Sequence, residues 1–390
     1  MSKTRILYIV SHPIQYQAPL LRLISQSNDM AVKAIFYWDL KAEKFFDGGF
    51  QQEIKWDVPV LDGYSYAYLS GVQNKKSTLS KLVTLWKVID KKNTDVVWTH
   101  GYADLYTAVG IIFAKTKGIK VFVRGESLFF PDEKNSFFKK LKKKIFFRFL
   151  NLLVGRYLAI GTNNKLFYLE NKIPDKKIFL CNYAVNNDFF YRKYCESKNK
   201  IAVLKSKMNL DPNRPIILYA SKFIKRKYPI DLLHAYQSIK WESNSKPYLL
   251  FIGTGETLES VKKNALSDSV LFLGFKNQTE LPDFFAMSDI LVLPSEHENW
   301  GLIVNEAMNA ECAIVISDHV GCGPDLVRHG ENGYIYPARN IKKLAEYLQI
   351  LIENPTLCEK MKIKSGEIIS HWGLKESVEG LRRACKSFQK

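Results

Sequence analysis

The chain has 390 residues, 46% of them apolar and 25% charged, which suits two globular domains with sizeable cores. No apolar run reaches the length of a membrane span, and the six cysteines form no C-x-x-C pair, so a spanning helix and a disulfide framework are both excluded. A net charge of +18 admits nucleic acid, an anionic membrane or an acidic substrate, and only its clustering separates these.

The first residues carry too short an apolar core for a signal peptide, so a cytosolic protein with reduced thiols is expected. Strand-like runs follow at Arg5–Ser11, Val32–Trp38, Asp95–His100, Val121–Glu126, Tyr157–Gly161 and Ile178–Ala184. Helical stretches such as Ala18–Ser25 and Leu79–Lys91 alternate with them. That alternation predicts a parallel sheet covered on both faces. The loop after the first strand holds His12 and Gln15 but no G-x-G-x-x-G fingerprint. These two residues either line a ligand or order the turn.

His100 ends one strand, and strand ends of this kind face the ligand crevice of an α/β sheet. Its plainer reading is a histidine satisfied by backbone groups. Arg124 and Glu126 close the next strand and either pair with each other or meet a ligand.

From Asn135 to Val154, Lys139, Lys140, Lys142, Lys143, Lys144 and Arg148 alternate with Phe138, Leu141, Ile145, Phe149 and Leu152. The apolar set follows three- and four-residue steps and predicts one helix face, with the basic set opposite. Such a helix either lies on an anionic membrane through Lys139–Arg148 or packs on a core behind a solvated lysine face.

Residues 191–213 are polar and lysine-rich and end near Pro212 and Pro215, which predicts an irregular linker. Strands resume at Ile216–Ser221, Tyr248–Gly253, Val270–Gly274, Ile290–Leu293 and Ala313–Ser317, a second parallel α/β domain. The domains are expected at 1–190 and 214–365, with a C-terminal helix at 366–390. Lys222 and Lys227 follow the first strand of this half, and cations there can neutralise a diphosphate. Gly253 and Gly255 either let a nucleotide approach the backbone or make the turn. Asn332-Gly333 reads as a turn.

The densest signal is Pro294 to Met308, which reads as strand, polar loop, helix. Gly301 turns the backbone into the helix, and the first amides, at Leu302 and Ile303, have no intrahelical partner. An anionic ligand suits that place. Glu306 lies early in the helix and Glu298 in the loop before it. Both are placed to accept hydrogen bonds from hydroxyls, or else Glu306 complements the helix dipole and Glu298 is a solvated acid.

Glu298 and Glu306 stand eight positions apart around Gly301, after Leu293-Pro294-Ser295 and running into Ala307-Met308. This segment resembles the E-x7-E signature of retaining GT-B glycosyltransferases, family four (group 1). Lys222 and Lys227 resemble the family's paired cations, although the first is usually arginine and Tyr228 replaces a glycine. The resemblance implies two Rossmann-like domains with parallel sheets facing a central cleft, the last helix crossing back to the first. It implies transfer from a nucleotide-diphosphate sugar to a glycan or lipid-linked acceptor in cell-surface polysaccharide synthesis, with no other cofactor and no metal. Lys222, Lys227, Leu302 and Ile303 would meet the phosphates, Glu306 the ribose, and Glu298 and His100 the donor sugar. Asn299, Gly301, Gly253 and Gly255 would complete the donor side, and His12, Gln15, Arg124 and Glu126 the acceptor side. A cytoplasmic protein, peripheral at the inner face of the membrane and without nucleic acid, is expected.

Three rivals stay open. A sugar-nucleotide epimerase of the same architecture would work without an acceptor. A basic nucleic-acid binder would explain the charge but not Glu298 and Glu306. A catalytically idle membrane-surface module would bind vesicles without turnover.

Overall fold

In the computed structural model, which describes residues 3–38, 45–70, 77–130, 137–241 and 246–388, the apolar runs become strands packed between helices. In chain order the strands are β1 (Thr4–Val10), β2 (Met30–Phe36), β3 (Phe45–Asp47), β4 (Gln52–Ile54), β5 (Ser65–Tyr68), β6 (Val96–His100), β7 (Lys120–Arg124), β8 (Arg156–Ala159), β9 (Ile178–Leu180), β10 (Ile216–Ala220), β11 (Tyr248–Ile252), β12 (Val270–Phe272), β13 (Ile290–Leu293), β14 (Ala313–Ser317) and β15 (Gly333–Tyr336). Seven form one parallel sheet, in the order β5-β2-β1-β6-β7-β8-β9. Six form a second, in the order β12-β11-β10-β13-β14-β15. β3 and β4 pair antiparallel as a hairpin.

The chain divides into two units, with boundaries after Tyr183 and after Gly373. The first holds the seven-stranded sheet and the helix Leu374–Lys386. Period-two alternation gives its sheet two buried faces. Leu7 and Ile9 join Val97, Val121 and Val123 on one side, and Ile6, Tyr8 and Val10 join Trp98 and Phe122 on the other. The helix Leu374–Lys386 covers that second face through Val378, Leu381 and Ala384. Gly380 permits its closeness, since a Cβ there would stand 1.8 Å from the Leu180 carbonyl oxygen.

The helix Phe137–Leu153 departs from the expected face. Its core side is Phe147 and Leu150, with Val154 just past its end, all buried. The stripe Phe138, Leu141, Ile145, Phe149 and Leu152 points outward, with Phe138 72%, Phe149 64% and Leu152 67% exposed. At 100° per residue, Lys142, Lys144 and Arg148 flank this stripe rather than oppose it.

The second unit holds the six-stranded sheet, the hairpin β3–β4 and the segment following that hairpin as far as Val58. The hairpin thus leaves the domain that its sequence position suggests. Its core joins Ile217 and Tyr219 to Leu232, Leu344 and Leu348. The expected linker is instead ordered as the helices Asn187–Lys198 and Ile201–Lys207, which end before the prolines. Asn332 lies in a turn as expected, and Gly333 opens β15, where a Cβ would stand 1.8 Å from the Ile314 carbonyl oxygen.

Each sheet reverses its strand order once, between β1 and β6 in the first and between β10 and β13 in the second. Crevices at the carboxyl ends of strands flanking such a reversal are where open α/β sheets bind ligands. The loops containing His12 and Lys222, residue His100 and the loop containing Glu298 all lie at those ends.

Candidate active site

In the second unit, two loops leave the adjacent strands β10 and β13. The first turns through a short 3-10 segment, Lys225–Lys227, into the helix Pro229–Ser238. Tyr228 stands at the turn with φ +46°, a left-handed conformation that costs a residue with a side chain about 1 kcal/mol. The Arg339 guanidinium lies 3.6 Å from its ring centroid and is itself held by Asp231 at 2.8 Å. That clamp accounts for a tyrosine where a glycine would be unstrained.

The second loop, Pro294 to Gly301, is braced on both sides. Glu298 forms a parallel bridge with Val320, its amide donating to His319 O at 3.2 Å and its carbonyl accepting from Gly321 at 2.9 Å. Arg226 donates to the His297 carbonyl at 2.8 Å. Gly301 takes φ +95° and leads into the helix Leu302–Met308. The buried Trp300 donates to Asn305 Oδ1 at 2.9 Å and stacks on Trp372.

These braces bring Lys227 and Glu298 into contact as a buried ion pair, their side chains only 8% and 14% exposed. Burial, with Arg226 and Lys222 nearby, pushes the Lys227 ammonium down to about 7. The Glu298 carboxylate against it acts the other way and favours the cation. Glu306 is half-buried on the helix after Gly301, and burial pushes its carboxyl up to about 8. Lys222 is committed elsewhere, its Nζ donating to both Asp47 oxygens at 2.9 Å.

Asn299 is half-buried in the same loop. Gly253 and Gly255 both have positive φ, but their bare faces meet protein. A Cβ on Gly253 would stand 2.0 Å from Ser221 O, and one on Gly255 would stand 2.6 Å from Phe223 O and 2.7 Å from Gly49 O. Backbone packing therefore explains both glycines, and the hairpin carbonyl fills the space over Gly255.

In the first unit, a separate cluster gathers at the ends of β1, β6 and β7. His100 Nδ1 lies 2.8 Å from Tyr8 OH, and Nε2 lies 3.0 Å from Glu126 and 3.1 Å from Tyr183 OH. Tyr16 donates to Glu126 at 3.3 Å, and Tyr183 also donates to it. Both nitrogens of His100 are thus engaged within the protein, and its side chain is 11% exposed against 33% for Glu126. His12 bonds Ser11 Oγ at 2.8 Å and stacks on Trp38. Burial first, and then the nearby His100, lower its pKa. Gln15 is half-buried on the same loop.

Arg124 does not belong to the acceptor side, and it does not pair with Glu126. It is fully buried and donates to Gln17 Oε1, Cys181 O and Cys181 Sγ at 3.0, 2.7 and 2.9 Å. Its role is to hold the ends of β7 and β9 together.

Residues 201–367 match the family of glycosyl transferases group 1. That stretch is similar to a group 1 glycosyl transferase domain. The N-acetyl-alpha-D-glucosaminyl L-malate synthase of Bacillus anthracis is 30% identical over 177 residues, 44% of this chain and 45% of that protein. The chain therefore spans about half the length of that relative. The UDP-Gal:alpha-D-GlcNAc-diphosphoundecaprenol alpha-1,3-galactosyltransferase of Escherichia coli is 22% identical over 319 residues, 78% of each chain. The crystal structure of a glycosyltransferase from Rickettsia africae superposes with a TM-score of 0.75 at 16% identity over all of both chains. That likeness assigns the GT-B fold.

The matched stretch contains Lys222, Lys227, Glu298, Gly301, Leu302, Ile303 and Glu306. Sequence reasoning missed Asp47, Tyr8, Tyr16 and Tyr183. The tyrosines carry no motif, and Asp47 lies 175 positions from its partner.

Proposed function

We propose that the protein transfers a sugar from a nucleotide-diphosphate sugar to a glycan or lipid-linked acceptor, with retention of anomeric configuration. The observation that carries the reading is the buried Lys227–Glu298 pair, braced between two switch-point loops with Glu306 on the following helix. As the bond between C1 and the diphosphate oxygen breaks, charge develops on the leaving oxygen. Lys227 and Lys222, with the amides at Leu302 and Ile303, stabilise that charge. Such stabilisation by preorganised charge is usually the largest catalytic contribution. The two ammonium groups supply positive charge without calling on a metal. Glu298 accepts hydrogen bonds from donor-sugar hydroxyls and Glu306 from the ribose. The acceptor oxygen attacks C1 on the face that the leaving group vacates, and its proton passes to the departing diphosphate. In the first unit, Glu126, 33% exposed against 11% for His100, receives acceptor hydroxyls, while His100 positions it.

The helix Phe137–Leu153 supports a lipid-linked acceptor. An outward apolar stripe flanked by lysines suits an anionic membrane face, where each cation contributes on the order of 1 kcal/mol. Lipid-linked acceptors reside at such a face, and the Escherichia coli relative is named for a diphosphoundecaprenol substrate. Among the described residues no helix is long and apolar enough to cross a membrane. We therefore place the protein peripherally at the cytoplasmic leaflet, in the synthesis of surface polysaccharide.

The test is a panel of nucleotide sugars scored by thermal stabilisation. One class is expected to raise the melting point, and Lys227→Ala is expected to abolish the rise. An undiminished rise in that variant would falsify the phosphate role. Sugar transfer that needs an added acceptor separates the reading from an epimerase.

A further inference from the structure

The hairpin β3–β4 interrupts the first half of the chain yet packs wholly within the second unit. Its tip lies on the Lys222 loop, which the donor phosphates would use, and on the loop holding Thr254 and Gly255. The Asp47 carboxylate holds Lys222 through both oxygens at 2.9 Å, and the Lys222 ammonium also lies 4.8 Å from the Phe50 ring centroid. The Thr254 hydroxyl donates to Phe50 O at 2.6 Å, and Phe50 packs against Phe275 with ring centroids 5.0 Å apart. Beyond the tip, Asn277 donates to Lys55 O at 2.7 Å and the Thr279 amide to Asp57 at 2.9 Å. The hairpin is therefore fastened along its length, and the acid at its tip meets a cation expected to serve the diphosphate.

Asp47 is built to carry charge there. Burial raises its pKa, but the Lys222 hydrogen bond, the Phe50 and Gly49 amides and the Lys222 charge outweigh that and leave the carboxyl below its ordinary value. The amides of Gly49 and Phe50 donate to Oδ1 at 2.8 and 3.1 Å, so the carboxylate is oriented whether or not the lysine is present. A part-buried ammonium with an oriented carboxylate on it cannot also offer its full charge to a diphosphate.

Resting on the donor reading above, we propose that Asp47 is a resident counter-ion of the donor site. It occupies Lys222 in the empty protein, yields it to the donor diphosphate, and returns to it as the nucleotide diphosphate leaves. The exchange weakens donor and product binding alike, and product release gains from it.

The experiment is calorimetric titration of the full chain with inorganic pyrophosphate and with UDP. Asp47→Asn keeps the shape and the amide contacts of the tip and removes the charge. It is expected to bind both probes roughly five- to tenfold more tightly than wild type, the scale of a part-buried ion pair. In a Lys222→Ala background the same substitution is expected to change nothing. Asp47→Ala provides a second variant, and an unchanged melting temperature certifies the fold of each. Binding by Asp47→Asn equal to or weaker than wild type overturns the proposal, as does a gain that persists without Lys222. If wild type and variant alike bind neither probe, the donor site itself is refuted and the counter-ion falls with it.

Discussion

Glu306 and Lys227 are the site residues whose pKa values burial brings close to neutral pH. Burial lifts the Glu306 carboxyl from 4.5 to about 8. Between those values the folded chain keeps a proton that the unfolded chain has released. Stability therefore falls as pH rises from about 4.5 to about 8, then levels. Lys227 works in the opposite sense: its ammonium drops from 10.5 to about 7, so its contribution rises with pH across that window. Glu306→Gln removes only the first effect. Urea midpoints at about pH 5 and about pH 8 should fall for wild type and fall less for the variant. An identical fall in both would show that the carboxyl titrates as an ordinary glutamate. At this scale, legibility in the sequence follows separation along the chain. Glu298, Gly301 and Glu306 are readable because one loop and one helix carry them all. Arg124 is misread because its burial depends on Gln17 and Cys181, which no local pattern connects to it.

Among elements, the helix Phe137–Leu153 shows why periodicity alone does not choose a face. Two apolar sets share its period, Phe147, Leu150 and Val154 inward, and Ile145, Phe149 and Leu152 outward. The sequence reveals a helix with an apolar stripe, and only packing shows that a second stripe is the one buried. The exposed stripe has no core to serve, so charges placed on it should leave the fold intact. Ile145→Asp with Phe149→Asp should therefore lose binding to vesicles containing phosphatidylglycerol, with little change in melting temperature. Vesicle sedimentation reads the loss, and undiminished binding would remove the membrane from the account. Elements that the sequence does not reveal share a cause as well. The helices Asn187–Lys198 and Ile201–Lys207 are polar because they cover little core, and β3, β4 and β15 are too short to show a period.

For the whole molecule, each unit carries its own core, and the residues proposed to meet the donor diphosphate, Lys222, Lys227, Leu302 and Ile303, all lie in the second. A nucleotide diphosphate binding there should protect local openings of that unit and leave those of the other unaltered. Short-time hydrogen exchange in the presence of UDP, or of whichever nucleotide stabilises the chain, reads this directly. The amides of the Lys225–Tyr228 turn and of residues 296–303 should slow, while those around His12, His100 and Glu126 should not. The hairpin β3–β4 should behave differently from both, because a ligand that takes Lys222 from Asp47 loosens its tip. Residues 47–50 are therefore expected to exchange faster with ligand than without. Slowing confined to the first unit would move the donor site there and undo the assignment of Lys227 and Glu298. Slowing of the hairpin together with residues 296–303 would keep the donor site and make Asp47 one of its clamps instead.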